Sequence, residues 1–166
     1  MIDRNLGSPT AKPRALYTIV WGGLLAGTLD AVDGVVAFGF KGMHPIQVLQ
    51  YIASGLFGIA SFQGGLKTAG LGALLHYFIA FVVAAVYYAA SVKLPALHAH
   101  PVKWGLTYGV AVYLVMNYVV LPLSAVPKAP FSFALFLNGV IGHGIFVGFA
   151  IAWFAHQSAR SMQKTT

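Results

Sequence analysis

Four stretches of this chain run for more than twenty residues with almost no charge: Leu16–Phe40, Thr68–Ser91, Val102–Pro122 and Phe131–Ala155. A bilayer's hydrocarbon core, about 30 Å thick, needs ~20 apolar residues wound as helix. Each stretch therefore predicts a membrane span, and together they leave little else for the chain to be. Composition agrees: 58% of the 166 residues are hydrophobic and 8% charged, against roughly 25% charged in an ordinary soluble domain. The mean hydropathy is +0.78.

The fold class read from this is all-α and polytopic, with four transmembrane helices in a bundle and one re-entrant or interfacial helix. The divisions are a polar N-terminal tail (residues 1–14), a membrane domain (15–156) and a polar C-terminal tail (157–166). The first apolar run is too long for a signal-peptide core and carries two Asp, so it reads as a retained span. Pro101 and Pro130 stand at helix starts, and Pro122 and Pro127 mark the stop between spans three and four.

The extra helix is Pro45–Phe62. Ile46, Leu49, Ala53, Leu56, Phe57 and Ala60 form one stripe; Gln47, Gln50, Ser54, Gly58 and Ser61 form the other. If this segment does not cross and the N-terminus is cytoplasmic, seven basic residues lie inside (Arg4, Lys12, Arg14, Lys93, Lys103, Arg160, Lys164) and three outside (Lys41, Lys67, Lys128). If it crosses, the split is five against five. The excess of basic residues on the cytoplasmic side of membrane proteins favours the first arrangement, with both termini cytoplasmic. The polar stripe has no Lys or Arg, unlike a helix lying on a lipid surface. It predicts packing on the bundle or lining a wet cavity, with Gln47, Gln50 and Ser54 as lining candidates.

Against this apolar background the polar residues stand out. The chain has three acidic residues, and two of them, Asp30 and Asp33, fall inside span one. Gly23, Gly27, Asp30 and Gly34 share a helical face, as do Gly72, His76, Ala80 and Ala84 in span two. Span three offers Gly105, Gly109, Tyr113 and Asn117, and span four Gly139, His143 and Ala150 with Asn138 at the edge. Small residues mark the faces on which membrane helices approach closely, so these polar side chains are expected to point into the bundle. At a rise of ~1.5 Å per residue, Asp30, Asp33, His76, Asn117, Asn138 and His143 fall in one slab of the outer half.

Intramembrane ionisable groups are costly and mark ion or proton paths by default. The leading reading is a proton- or cation-handling transporter or channel-like protein, with Asp30 the deep acceptor, Asp33 the outer one, and His76 and His143 exchanging protons with them. Asn117 and Asn138 would orient a water or ion. A purely structural belt fixing helix register, in a non-transporting or assembly subunit, is the alternative. A haem or metal site on His76, His143 and Asp30 is a third reading, with no cofactor clearly indicated. His44, His98, His100 and His156 fall in loops or at span ends. No phosphate loop, nucleophile elbow or HExxH occurs, Ser54 in "ASG" reads as a packing serine, and no enzyme is expected. The positive charges sit at span ends and not on a nucleic-acid-binding face, so the partners expected are the bilayer, a small ion or proton, and further copies of the chain.

"GALLH" (Gly72–His76) and "GVIGH" (Gly139–His143) share a Gly-x-x-x-His spacing. Ser91 and Ser158, then Lys93 and Arg160, follow each His at equal distances. "VWGG" at 20–23 and "KWGL" at 103–106 open the preceding spans, as in a twofold-repeated pair of hairpins. From about Leu71 to Arg160, the early His76, the aromatic run ending near Pro95, Gly105/Gly109, Pro122 and Gly142–His143 resemble the YagU-type family of small bacterial inner-membrane proteins. That resemblance implies a multi-pass bacterial inner-membrane protein and no particular activity. The chain differs from the family pattern in its Asp pair and in Gly139, where the family has an acidic residue.

Overall fold

The computed structural model describes residues 13–163. Within them the chain is helical, with no strand. A π-helical turn, Tyr17–Trp21, leads into α1 (Gly22–Gly39). Then come α2 (Pro45–Phe57), a 3-10 stretch (Gly58–Gln63), the long α3 (Gly65–Lys93) and the short α4 (Ala96–Ala99). The segment α5 (Pro101–Val115) continues through a π turn (Met116–Val120) into α6 (Leu121–Leu123). Finally α7 (Phe133–Gly142) passes through a π-helical segment (His143–Phe149) into α8 (Ala150–Gln163). Five helical stretches are long and apolar enough to cross a membrane: Tyr17–Gly39, Pro45–Gln63, Gly65–Lys93, Pro101–Leu123 and Phe133–Met162.

The packing is inside-out compared with a water-soluble domain. The buried residues are mainly small: Ala26, Ala80, Ala84, Ala152, Ala155, Ser91 and Ser158. Large apolar side chains such as Leu16, Leu74, Phe78, Val86 and Ile141 face outward. Helices driven together in lipid gain from close backbone approach, not from hiding large side chains from water.

Glycines set the registers. Gly23 lies against Phe81, and Gly27 against Tyr77 and Ala80. Thus α1 and α3 are antiparallel, and the C-terminal end of α1 stands beside the N-terminal end of α3. Gly105 and Gly109 on α5 meet Gly148 and the backbone of His143–Gly144 so closely that a Cβ at 109 or 148 would fall on a backbone atom. The last helix also runs antiparallel to α1: Gly22 meets Ile151, and Thr18 Oγ1 lies 3.2 Å from Ser158 Oγ. Between α3 and α5, Tyr108 Oη donates to Val83 O at 2.7 Å.

The stretch 45–63 starts and finishes at one end of the bundle. Gly58 has φ +60° and ends α2, a left-handed turn that suits a residue without Cβ. Ala125 N–H, in the loop after α6, donates to Gly55 O at 2.9 Å. Gln50, Ser54 and Ser61 of the polar stripe are buried and Ile46, Leu56 and Phe57 of the apolar stripe face out, but the two stripes do not separate cleanly, since Ala53 is buried and Gln47 is exposed.

Several boundaries differ from the sequence reading: α3 begins at Gly65 and not Thr68, and the last span at Phe133 and not Phe131. Residues 157–163, expected as polar tail, continue α8, because Ser158 and Ala159 are buried and Ser158 Oγ accepts a hydrogen bond from Arg14 N–H at 3.1 Å. The chain also continues helically past Pro122 to Leu123. Of the N-terminal tail, residues 1–12 lie outside the described residues.

Candidate polar site between the first and last spans

Asp30 and Asp33 are three residues apart on α1, neighbours on one side of the helix. The last helix meets them with two side chains. Asn138 Nδ2–H donates to Asp33 Oδ2 at 2.8 Å. Asp33 lies so close to the backbone of Gly142, one turn from Asn138, that a Cβ there would stand 2.7 Å from its Oδ2. His143 Nδ1 lies 3.4 Å from Asp30 Oδ1. That contact is within ion-pair reach, but it is out of line for a hydrogen bond, which leaves Nδ1 without a hydrogen-bond partner among the described residues. The two side chains are 21% and 22% exposed, neither sealed in the protein nor freely hydrated.

The surroundings hold His143 from behind. Tyr113 of α5 sets its ring edge-on at 5.3 Å, and Gly139 is the gap into which that ring fits. His143 opens the π-helical segment. Such widened turns shift the helix face by about one residue and occur often at functional sites.

Two sequence candidates stand apart from this group. His76 Nε2 lies 2.7 Å from Gly27 O. A carbonyl only accepts, so Nε2 carries the proton, and this histidine is committed to backbone one turn from Asp30. Asn117 Nδ2–H donates to Tyr113 O at 3.0 Å, a bond within its own helical run. The α2 candidates serve packing instead of a cavity. Gln47 is exposed and its Oε1 accepts from His44 N–H at 2.8 Å, capping the helix. Gln50 Nε2–H donates to Gly65 O at 3.0 Å, tying α2 to the start of α3. Buried Ser54 donates to Tyr51 O at 2.6 Å.

For a metal, His143 and Asp30 supply one facing pair. His76 does not join it through Nε2, and the described residues contain no group of three or more metal-ligating side chains. The "HAH" residues divide: His98 is buried and directs Nδ1 at Ser91 O, 3.3 Å away, whereas His100 is exposed.

Sequence reading named Gly142 only in its Gly-His motif and passed over its contact with Asp33, the Gly144-x-x-x-Gly148 pair and the Thr18–Ser158 contact. Gly144-x-x-x-Gly148 had a readable signal, the small-xxx-small spacing. Gly142 and Thr18 had none, since each matters only through its partner. No family model, curated protein or solved structure matches the chain, so the YagU-type resemblance rests on the sequence motifs alone.

Proposed function

We propose that the protein is a four-span membrane protein that handles protons or a small cation through the Asp30–His143 and Asp33–Asn138 pairs. The spans are Tyr17–Gly39, Gly65–Lys93, Pro101–Leu123 and Phe133–Met162, with α2 and its 3-10 extension folded against one end. The antiparallel register of α1 and α3 supports this, since a crossing by α2 would bring α3 in from the opposite end. Arg14, Lys93, Lys103 and Arg160 then share one end and Lys41, Lys67 and Lys128 the other, so the first is cytoplasmic. The bacterial inner membrane is the membrane that the YagU-type resemblance proposes.

One observation carries the functional reading: two carboxylates of one span each face a polar side chain of another span, half-buried and away from the large lipid-facing residues. Asp33 is the outer acceptor, held by Asn138. Asp30 is the deeper one and exchanges a proton with His143, whose unpaired Nδ1 faces it. His76 and Asn117 act as packing residues and not as relay members.

The competing reading is a scaffold whose polar seam only fixes helix register, favoured by the hydrogen bond that already satisfies Asp33. Proteoliposome flux separates the two. With Asp30→Asn plus Asp33→Asn, proton or monovalent-cation flux should fall to the empty-vesicle level while the protein stays monodisperse and helical. Wild-type vesicles with no flux above empty ones, across protons and a monovalent-cation series, would favour the scaffold.

A further inference from the structure

The cytoplasmic end of the bundle has positive charge and, among the described residues, no carboxylate. Arg14, Lys93, Lys103 and Arg160 lie there. The chain's acidic residues are Asp3, Asp30 and Asp33. Asp30 is sixteen residues along from Arg14, about 24 Å of helical rise, and Asp33 is farther. Asp3 lies outside the described residues.

At this end a half-open groove of about 540 Å³ runs between the first turn of span one and α8, lined by Arg14, Tyr17, Trp153, Phe154, Gln157 and Ser161. Its base is fixed. Arg14 N–H donates to Ser158 Oγ at 3.1 Å, and buried Ser158 also meets Thr18. The rings of Tyr17 and Phe154 pack 5.5 Å apart as its wall. Arg14 and Gln157 are exposed at the rim, and Trp153 is 43% exposed below them. From water inward the order is guanidinium and amide, then aromatic rings, then the apolar helix surface. A phospholipid presents its complement in the same order: phosphate, ester backbone, acyl chain.

We propose that this groove binds the phosphodiester head group of an anionic phospholipid. Arg14 takes the phosphate oxygens through its planar fork of donors, and Gln157 adds an amide donor. Tyr17 and Trp153 cover the first part of the acyl chains, as aromatic side chains do at membrane interfaces. Basic pockets between helices on the cytoplasmic side are a recurrent form of lipid recognition.

The test uses the full chain with Trp21→Phe and Trp104→Phe, which leaves Trp153 as the sole tryptophan reporter. It is titrated in zwitterionic micelles with short-chain phosphatidylglycerol, phosphatidylcholine of equal chain length, and inorganic phosphate. Phosphatidylglycerol should change Trp153 emission saturably, at a concentration roughly five- to tenfold below phosphatidylcholine. Arg14→Gln should bring the two lipids within about twofold of each other, and Gln157→Leu should weaken phosphatidylglycerol by a smaller factor. Asp3→Asn should leave the preference in place. Equal response to both lipids, or a preference that survives both Arg14→Gln and Gln157→Leu, overturns the proposal. So does saturation by inorganic phosphate in place of lipid, or a preference that emerges only with Asp3→Asn, which would make the chain's own carboxylate the occupant.

Discussion

The last helix has two seams of opposite character. Toward α5 it offers Gly144 and Gly148, which pack against Gly105 and Gly109 with backbone on backbone and no charged side chain. Toward α1 it offers Asn138 and His143, which meet Asp33 and Asp30. The same helix thus shows that tight, register-specific packing in this bundle is reached with glycine alone. Carboxylates costing roughly 2.5–3.5 kcal/mol each at a helix centre are not needed for that purpose, and so the α1 seam calls for another explanation. Its inner half makes the same point. Below Asp30, the contact between the first span and α8 returns to uncharged residues, with Gly22 on Ile151 and Thr18 on Ser158.

Substitutions can break this contrast, and the largest effect belongs to the glycine seam. Gly109→Ala or Gly148→Ala puts a methyl group onto backbone that cannot step aside. Either should cost roughly 3 kcal/mol, the upper part of the usual overpacking range, read as unfolding in mixed micelles. On the polar seam Gly142→Ala presses on a carboxylate oxygen at the free end of a side chain that can turn. It should cost only about 1 kcal/mol yet displace Asp33 from Asn138, so flux should fall much further than stability. A scaffold would show the small loss of stability with no flux to lose.

A third prediction concerns pH and lies outside both seams. His98, in the turn between α3 and α5, is 4% exposed. Burial holds its pKa below the ordinary histidine value, with the neighbouring His156 adding to the effect and the Ser91 carbonyl opposing it. The unfolded chain takes up this proton near pH 6.5, whereas the folded chain resists it until the pH is lower. Stability is therefore intact above that value and declines as the pH falls below it. The Tm should be lower at about pH 5.5 than at about pH 7.5, and His98→Asn should flatten that slope. The smallest effect is expected at Asn117, whose amide bonds within its own helical run. Asn117→Ala should shift stability by no more than about 0.5 kcal/mol and leave flux unchanged.

Much of this was legible in the sequence because membrane physics is coarse. Span length, charge at span ends and the small-residue stripes depend on composition along the chain, so the apolar helices could be read early. That Asp30, Asp33, Asn138 and His143 share one level followed from depth and from shared glycine faces. Neighbour identity did not. Depth alone put His76 and Asn117 in the same belt, but His76 bonds to the Gly27 carbonyl and Asn117 turns back on its own helix. The π-helical segments at 116–120 and 143–149 also shift the helical phase, which a 3.6-residue period cannot anticipate. The end of α8 was hidden because the burial of Ser158 depends on Thr18, 140 positions away.

The most direct measurement compares water access to the two seams. The chain has no cysteine, so single thiols can be placed at Asn138→Cys on the polar seam and Val147→Cys beside the glycine seam. Each is then treated with a membrane-impermeant thiol reagent in oriented vesicles. Asn138→Cys should react from the side that holds α2 and not from the other, while Val147→Cys stays unlabelled from both. If Asn138→Cys is as unreactive as Val147→Cys, the carboxylates sit in a dry seam and the ion-handling reading is contradicted.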